Sequence, residues 1–371
     1  MSKTPFRILV IGSVTIDNIA VVATKNIERI TRGNGDTSYL LLEQGKKIGA
    51  ENISNHVGGG GANVAVSMAR QGFDVDIMAL IGVDHNGSKI TQKLSDEGIG
   101  LKYLITEPSS ETGSSILIYS HDQNAAIFTN RGANSYLENY LDVINFSDYH
   151  LVYIGSLSGK AHKCFPKLVQ KAKAADCYVA TNPGIEQLTY HIDEFLSVAK
   201  QIDYLSLNKL EAVALLSRSI HKLKRHFSIQ LKDSHAIPRL SKAGVHVKDE
   251  WLPLEDAISI ICSAGPKYFS LTDGMEGAYF FDGEKLFYCS SYKVTPWGTA
   301  GAGDAFASTI VAQLLMGYSA ERALLAATRN AGSVVEYVDT QTGLLSSTAI
   351  DQLIASPLSH NQVTLLGKKT L

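Results

Sequence analysis

Near its carboxyl end the chain carries the stretch Gly298-Thr299-Ala300-Gly301-Ala302-Gly303-Asp304, which continues directly into the apolar segment 305–312. Glycines allow the backbone to turn tightly and leave its N–H groups uncovered. The apolar segment has helical spacing and reaches a typical helix stop at Gly317. The stretch therefore predicts a glycine-rich turn that opens a helix. Such a turn directs free N–H groups and the positive end of the helix dipole towards an anion.

Asp304 is an unexpected residue in an anion-binding turn, because a carboxylate repels a phosphate. One explanation is that Asp304 takes the proton of a hydroxyl while that hydroxyl attacks a phosphoryl group. The other is that Asp304 only caps the N-terminus of the helix. The motif by itself leaves both explanations open.

The segments before this turn alternate between strands and helices. Short apolar runs predict buried strands, and runs of helical periodicity lie between several of them. The predicted strands cover residues 6–11, 75–81, 151–154, 178–180, 204–207 and 268–271, and the predicted helices cover 63–70, 90–97 and 167–175. This alternation predicts an α/β fold with a doubly wound, mostly parallel sheet and helices on both faces. Ligands bind such sheets at the carboxyl ends of the strands.

Two regions interrupt the alternation. Residues 114–119 and 125–129 flank His121-Asp122-Gln123-Asn124 and predict a β-hairpin. Together with parts of 18–57, the region 110–131 predicts a small sheet that stands off the main domain. The second region, 217–250, is rich in lysine and arginine and predicts a solvated, partly helical insertion or a patch that binds a partner.

The composition favours a cytoplasmic globular protein. The 371 residues, 45% of them apolar, suffice for one large domain or a main domain with appendages. A net charge of −2 does not indicate the excess of positive charge with which proteins bind nucleic acid. The four cysteines are widely spaced and predict neither a zinc site nor a disulfide framework. The apolar run 8–11 is too short for a signal peptide or a membrane span.

Two motifs follow the first predicted strand and precede the first predicted helix. Four successive glycines, Gly58 to Gly61, are costly in chain entropy and predict a backbone that approaches a ligand closely, with the Asn63 amide nearby as donor and acceptor. The alternative is a purely structural turn. Asp17 follows the strand 6–11 and is either a carboxylate that binds two hydroxyls of a polyol or a solvated loop acid.

Two further motifs follow later strands. Asn208 and Glu211 have the spacing that places an amide and a carboxylate on one face of a first helical turn, either as oxygen ligands for a hydrated Mg²⁺ or as a capping box. The glycines of Thr272-Asp273-Gly274-Met275-Glu276-Gly277 predict either a hairpin turn or a nucleotide loop.

Taken in order, these motifs resemble those of the ribokinase-like (PfkB) family of carbohydrate and nucleoside kinases. The resemblance runs from about residue 8 to 343. It rests on Gly12 and Asp17, Gly58-Gly59-x-Gly61-Ala62-Asn63, Gly82-x-Asp84-x-x-Gly87, Thr112-Gly113, Gly132-Ala133-Asn134, Asn208-x-x-Glu211, Thr272-x-Gly274-x-x-Gly277-Ala278 and Gly301-Ala302-Gly303-Asp304. It implies one kinase domain over residues 1–371, with the small sheet as a lid over the phosphoryl acceptor.

The resemblance also implies a role for each motif residue. Asp304 matches the catalytic base, and the amides of Gly301, Ala302 and Gly303 match the anion hole. Positions that match the acceptor site are Asp17, Gly58, Gly59 and Asn63. Those that match the ATP site are Thr272, Gly274, Gly277 and, more loosely, Asn330. The pair Asn208 and Glu211 matches a motif that positions Mg²⁺ largely through water.

Two departures from the family pattern limit what the resemblance implies. Gly298 stands where relatives commonly have an aspartate that helps to build a monovalent-cation site, which puts activation by K⁺ in question. The intervals from Asp17 to Gly58 and from Glu211 to Thr272 are longer than in simple ribokinases. The first of these lies in the lid, which in sugar kinases often forms a homodimer and here could instead close a monomer.

The resulting prediction is an ATP-dependent kinase that phosphorylates a hydroxyl of a sugar or sugar derivative. A nucleoside kinase is the alternative within the same class, because no residue separates the two acceptors. A non-catalytic relative that binds a sugar or nucleotide is the alternative from another class. Asp304, Asn208 and Glu211 argue against that last alternative, and Gly298 argues for it.

Overall fold

A computed structural model describes residues 6–23, 28–31, 38–119, 125–157, 159–232, 238–248, 250–356, 358 and 360–370. Its strands are β1 Arg7–Ile11, β2 Thr15–Val22, β3 Glu28–Thr31, β4 Ser38–Leu41, β5 Ala50–Gly58, β6 Asp74–Ile81, β7 Gly100–Thr106, β8 Ser114–Tyr119, β9 Ala125–Asn130, β10 Leu151–Ile154, β11 Tyr178–Thr181, β12 Tyr204–Asn208, β13 Ser228–Leu231, β14 Val245–Val247, β15 Glu250–Leu252, β16 Tyr268–Thr272, β17 Ala278–Phe281, β18 Lys285–Cys289 and β19 Val363–Thr370.

The helices occupy the intervals between these strands. The α-helices are α1 Gly60–Arg70, α2 His85–Asp96, α3 Phe165–Ala174, α4 Ile185–Tyr190, α5 Ile192–Val198, α6 Lys209–Ser219, α7 Arg239–Ala243, α8 Leu254–Ser263, α9 Ala302–Leu315, α10 Ala320–Val335 and α11 Ser347–Ala355. Short 3₁₀ segments cover Gly132–Val143, Phe146–Asp148, Gly159–Cys164, Ala199–Gln201 and Gly274–Glu276. In the part of the chain that the structure describes, no helix is both long and apolar enough to cross a membrane.

The main sheet has 11 strands in the order β13-β19-β18-β17-β16-β12-β11-β10-β1-β6-β7. From β16 to β7 all neighbouring strands are parallel, and β17, β18, β19 and β13 extend the sheet with antiparallel pairs. The carboxyl ends of β1, β10, β12 and β16 therefore lie at one edge. The predicted α/β fold with a mostly parallel, doubly wound sheet is confirmed.

Both faces of this sheet are buried, which explains the nearly continuous apolar strands. Successive residues of β1 enter opposite cores: Leu9 and Ile11 join one apolar cluster, whereas Ile8 and Val10 join the other. Helices α3, α5, α6 and α8 cover the first face, and α1, α9 and α10 cover the second. All four cysteines are buried and free.

A second sheet of four strands, in the order β5-β2-β8-β9, stands apart from the main sheet. The predicted hairpin pairs as β8 with β9, and its turn 121–124 lies outside the described residues. On β2 and β8, Asp17, Ile19, Ser115, Leu117 and Tyr119 are buried and share one face. In the predicted lid region 18–57, the structure also pairs β3 with β4.

The region 217–250 combines exposed lysines and arginines with elements that pack into the fold. It contains the end of α6, the five-residue helix α7 and the strand β14, which pairs with β15. Its strand β13 pairs with β19 at the edge of the main sheet, and Ile229 of β13 joins the core. Part of the region is therefore built into the fold. Residues 233–237 and 249 lie outside the described residues.

Candidate active site

The run Gly58 to Gly61 lies between two carboxylates. A Cβ at Gly58 would approach Asp17 Oδ2 to 2.0 Å, and a Cβ at Gly60 would lie 3.5 Å from Asp304 Oδ1. Asp17 belongs to β2, and Asp304 belongs to α9. The run thus brings the backbone against two acids that are far apart in sequence, and only glycine fits at Gly58 without displacing the Asp17 carboxyl.

The other two glycines pack against the loop after β1. Gly59 has φ +94 and its Cβ would meet Ser13 O at 2.6 Å, while a Cβ at Gly61 would meet the Gly12 backbone at 2.6 Å. The N–H of Gly61 donates to Ser13 O at 2.9 Å. Close approach of one backbone to another therefore explains part of the glycine run, and the two carboxylates explain the rest.

The Asp304 carboxyl lies in the first turn of α9 and is held by Asn63. Asn63 Nδ2 donates to Asp304 Oδ2 at 2.8 Å. Surrounding protein disfavours the charged form and raises the pKa of Asp304 to about 6, although the hydrogen bond from Asn63 opposes that shift. Gly301, with φ +79, occupies the cap position of α9 and no side chain caps the helix. Asp304 is therefore not the cap residue.

Asn63 is itself held by two residues that the sequence did not single out. Its side chain is buried, and Asn63 Oδ1 accepts from Thr340 Oγ1 at 2.8 Å and from Gln341 Nε2 at 3.3 Å. Thr340 also packs against Gly301, whose Cβ would lie 2.8 Å from Thr340 Cβ. No pattern in the sequence marks these two residues, because the contact joins positions 277 residues apart.

Asp17 lies in a polar niche on the buried face of the small sheet. Thr15 Oγ1 donates to Asp17 Oδ1 at 2.9 Å. Burial raises the pKa of Asp17, while hydrogen bonds from Thr15 and Ser115 and the nearby His56 act in the opposite direction. Ser115 is the register partner of Asp17 on β8, and His56 is its partner on β5. Asp17 is therefore a buried acid and not a solvated one.

A tyrosine from the small sheet occupies the space beside Gly298. A Cβ at Gly298 would lie 2.5 Å from Tyr119 Cε1 and 2.7 Å from the Tyr119 hydroxyl. Burial and the nearby Asp17 raise the pKa of Tyr119 to about 12, while a hydrogen bond from the Ala300 backbone opposes this. Ile19, Leu117 and Tyr119 form a small apolar cluster against Ala300 and Val338. The small sheet therefore packs directly on the glycine-rich turn.

Asn208 and Glu211 form a reciprocal capping box at the start of α6. Asn208 N donates to Glu211 Oε2 and Glu211 N donates to Asn208 Oδ1, both at 2.9 Å. Burial, together with repulsion from Asp304, raises the pKa of Glu211 to about 7. Glu211 and Asp304 are thus neighbouring acids, and a nearby cation would stabilise both carboxylates.

These residues fit a hydrated Mg²⁺ but not a closed metal cage. The described residues include no group of three or more His, Cys, Asp or Glu side chains that could hold a metal ion. The carboxylate of Glu211 and the amide oxygen of Asn208 are the hard oxygen ligands that Mg²⁺ prefers. Water and phosphate oxygens would have to supply most of the coordination there.

The loop from Thr272 to Gly277 is stabilised through its backbone. Gly274 has φ +55 and Gly277 has φ +115. A Cβ added at Gly277 would lie only 2.3 Å from Cys289 O. Ser291 Oγ donates to Met275 O at 2.6 Å. Met275 is 80% exposed, so the loop presents its surface to solvent beside segment 289–292.

Asn330, predicted to lie beside the nucleotide, has its side chain in the protein interior. The residue is fully buried; Asn330 Nδ2 donates to Thr309 Oγ1 at 2.8 Å and Leu345 N donates to Asn330 Oδ1 at 2.9 Å. A cavity of about 310 Å³ opens nearby, lined by Tyr292, Ser333, Glu336, Leu345, Ala349, Gln352, Leu353 and Ser356. Its wall residue Tyr292 directly follows Ser291, which bonds the loop described above.

Two other motifs of the resemblance have structural tasks. Asp84 caps α2 by accepting from Gly87 N at 2.7 Å, and Thr112 Oγ1 donates to the same carboxyl oxygen at 2.7 Å. Asn134 Nδ2 donates to Val14 O at 2.8 Å, which fixes the loop between β1 and β2. Both side chains therefore hold backbone segments in place.

The main sheet is doubly wound, a small sheet packs on the glycine-rich turn, and the carboxylate of that turn lies at the strand ends. This is the architecture of a small-molecule phosphotransferase. The profile of the pfkB family carbohydrate kinases matches residues 7–347 of the chain. The chain belongs to this family, as the sequence motifs predicted.

Curated relatives span nearly the same length. Ribokinase of Bacillus subtilis is 23% identical over 347 residues, with 91% of this chain and 99% of the relative covered. Ribokinase of Haemophilus influenzae is 26% identical, with 87% and 89% covered. The 5-dehydro-2-deoxygluconokinase of Shouchella clausii is 22% identical, with 81% and 87% covered.

Solved structures share the fold. A probable sugar kinase from Rhizobium etli has a TM-score of 0.73 at 18% identity, with 95% of this chain and 100% of that chain covered. A nucleoside kinase from Burkholderia thailandensis in complex with inosine has a TM-score of 0.71 at 15% identity, with 95% and 99% covered. Arabidopsis thaliana ribokinase complexed with ribose and ATP has a TM-score of 0.68 at 20% identity, with 96% and 100% covered.

Proposed function

We propose that the protein transfers the γ-phosphoryl group of ATP to a hydroxyl of a sugar or sugar derivative, with Asp304 as general base. The hydrogen bond from Asn63 to Asp304 is the observation that carries this proposal. It orients a carboxyl whose pKa is raised to about 6 and which follows directly on the glycine-rich turn. A base with this pKa is ionised at neutral pH and still accepts a proton readily.

The chain's own residues would act in sequence on one hydroxyl. Asp17 accepts hydrogen bonds from hydroxyls of the acceptor and orients it over the glycine run. Asp304 takes the proton of the attacking hydroxyl as its oxygen bonds to the phosphorus and the bond to the ADP oxygen breaks. The N–H groups of Gly301, Ala302 and Gly303 stabilise the charge on the transferring group. We call Asp17, the run Gly58 to Gly61, Asn63 and Asp304 the acceptor half of the site.

The nucleotide half of the site comprises the loop from Thr272 to Gly277 and the 310 Å³ cavity beside it. Thr272, Gly274 and Gly277 are proposed to bind phosphate or ribose, and Tyr292, Ser333 and Glu336 to surround the base in place of Asn330. Asn208 and Glu211 would hold Mg²⁺ through water, and the ion would neutralise charge on the nucleotide phosphates.

The outer face of the small sheet is proposed as the contact of a homodimer. Ile53, Ile116 and Phe128 lie on this face and are 74%, 51% and 58% exposed. Ile116 is the register partner of Phe128 on β9, so the two side chains form one apolar patch. Sedimentation velocity distinguishes this dimer from a monomer whose lid closes on its own site.

The test is ADP release with a panel of neutral sugars, sugar acids, sugar phosphates and nucleosides, in wild type and in Asp304→Asn. The wild type is expected to be stimulated by one acceptor class. The variant should lose about 10²- to 10⁴-fold in kcat, because it cannot accept the proton, and should bind ATP as the wild type does. A variant with near-wild-type kcat would refute Asp304 as the base.

Three controls complete this test. Circular dichroism shows whether the Asp304→Asn variant is folded. Retained ligand binding without ADP release for any acceptor would favour a non-catalytic relative. The assay is repeated with and without K⁺, and no stimulation is expected because Tyr119 fills the space beside Gly298.

A further inference from the structure

A small cavity adjoins the glycine run at the carboxyl ends of β1 and β10. Its wall includes Ser13, Arg131, Ser156 and Leu157, and its volume is about 20 Å³. Ser13 is shared with the glycine run, because Ser13 O accepts from Gly61 N at 2.9 Å. The wall of the cavity is therefore in direct contact with the acceptor half of the site.

Arg131 is the charged residue of this wall. It is half-buried, and among the described residues its guanidinium makes no hydrogen bond or ion pair. Its backbone carbonyl accepts from the backbone N–H and from Nδ2 of Asn134. Partial burial lowers the pKa of Arg131, while Glu186 at the start of α4 acts in the opposite direction from beyond ion-pair distance. A guanidinium removed from water is costly unless it meets an anion.

We propose that Arg131 binds a carboxylate of the acceptor, so that the preferred substrate is a sugar acid and not a neutral sugar or a nucleoside. The inference rests on the proposed function and names the acceptor class of the same site. The guanidinium supplies two parallel N–H donors, and Ser13 and Ser156 line the same cavity.

The size of the cavity favours a carboxylate over a phosphate. A volume of about 20 Å³ holds roughly one water-sized group, since one water needs about 10–15 Å³ measured in this way. A planar carboxylate can place one oxygen there and keep the other on the guanidinium. A phosphate has three terminal oxygens around one centre and would need more room.

The experiment compares acceptors that differ only in the terminal group: neutral sugars, the matching aldonic and keto acids, and the matching sugar phosphates, with nucleosides as a further class. The variants are Arg131→Gln and Arg131→Lys, with Arg218→Gln as the matched control. Arg218 is exposed in the last turn of α6 and lies outside the site. We measure kcat/KM for each acceptor, the KM for ATP and acceptor binding by calorimetry.

The expected result is a preference of the wild type for an acid. Arg131→Gln should lose about 10- to 100-fold in kcat/KM for that acid, the loss typical of a charged hydrogen bond, with an unchanged KM for ATP. Arg131→Lys should retain part of the preference, because it keeps the charge but not the bidentate geometry. Glu186→Gln should lower the KM for the acid, because it removes the competing charge, and Arg218→Gln should match the wild type.

Two results would overturn the inference: a wild type that prefers a neutral sugar, a sugar phosphate or a nucleoside, or an acid preference that survives in Arg131→Gln. Failure of the proposed function gives a different result, namely no ADP release with any acceptor. In that case calorimetry decides, since binding of an acid that Arg131→Gln abolishes supports the carboxylate site, and absence of acid binding to the wild type refutes it.

Discussion

Two buried asparagines differ in what their side chains bind: Asn63 belongs to the acceptor half of the site, and Asn330 lies next to the nucleotide half. Asn63 donates to the Asp304 carboxyl and is held from behind by Thr340 and Gln341. Asn330 joins α9 to the segment after α10, with its amide nitrogen bonded to Thr309 and its amide oxygen bonded to Leu345. Residue type and burial are the same, yet only Asn63 is connected to a group at the surface of the site.

The comparison extends to the two halves as a whole. In the acceptor half, the two acids are fixed by hydrogen bonds from other side chains: Thr15 donates to Asp17, and Asn63 donates to Asp304. The nucleotide half depends on backbone conformation at Gly274 and Gly277 and on a cavity wall. Substitutions in the acceptor half should therefore act on the chemical step, and substitutions in the nucleotide half should act on nucleotide affinity.

The largest effect is expected from Asn63→Ala compared with Asn330→Ala. Both variants leave buried groups unpaired and should lose about 1–3 kcal/mol of unfolding free energy. Asn63→Ala should also lower kcat by about 10²-fold, because the base is no longer oriented, whereas Asn330→Ala should keep the wild-type kcat and KM for ATP. Steady-state kinetics and thermal melts measure both. Equal kinetic losses in the two variants would remove the distinction between the asparagines.

The next effect is the pH dependence of the acceptor half. Burial raises the pKa of Asp304 to about 6, so the ionised base is present above that pH and is lost as the pH falls through it. We expect kcat to fall about tenfold per pH unit below pH 6. The hydrogen bond from Asn63 lowers this pKa, so the acidic limb should move to higher pH in Asn63→Ala. If the acidic limb of the kcat profile instead reflected titration of the nucleotide, it would lie at the same pH in the wild type and in Asn63→Ala.

The raised pKa of Asp304 also makes the free energy of unfolding depend on pH. A raised carboxyl pKa means that the folded state binds the proton more tightly than the unfolded state, so stability decreases as the pH rises from about 4 to about 6. Asp304→Asn removes this cost. Its melting temperature should exceed that of the wild type at pH 7.5, and the excess should disappear near pH 4.

The smallest effect is expected in the nucleotide half, from Gly277→Ala compared with Gly274→Ala. Both glycines have positive φ, but a Cβ at Gly277 would meet Cys289 O at 2.3 Å, whereas one at Gly274 would meet nothing within 4 Å. Gly277→Ala should raise the KM for ATP by several-fold and leave kcat at saturating ATP unchanged. Gly274→Ala should carry only the conformational cost of about 1–2 kcal/mol. A lower kcat at saturating ATP in Gly277→Ala would contradict the division between the halves.

Local patterns in the sequence predicted the framework of the site well. The predicted strands 204–207 and 268–271 follow from apolar runs, and each is one residue longer in the structure. The helix predicted from the apolar segment 305–312 is α9, which begins at Ala302 and ends at Leu315. The approach of the glycine run to a ligand stays a prediction. The contacts that the structure shows are those with two carboxylates and with the loop at Ser13.

Contacts between distant positions could not be predicted in the same way. Thr340 and Gln341 lack any motif of their own and acquire their task only when α10 returns the chain to Asn63. The edge strand β13 has a mixed, charged neighbourhood, and its pairing with β19 depends on residues more than a hundred positions away. The burial of Asn330 likewise depends on how the surrounding helices pack, which its motif does not encode.

The packing of Tyr119 against Gly298 couples these two positions sterically. An aspartate at position 298 would require the Tyr119 ring to move, because its Cβ would lie 2.5 Å from Tyr119 Cε1. A smaller residue at 119, with glycine still at 298, would leave a gap between the small sheet and the turn. We therefore expect that relatives with glycine at the position of Gly298 carry a large aromatic residue at the position of Tyr119.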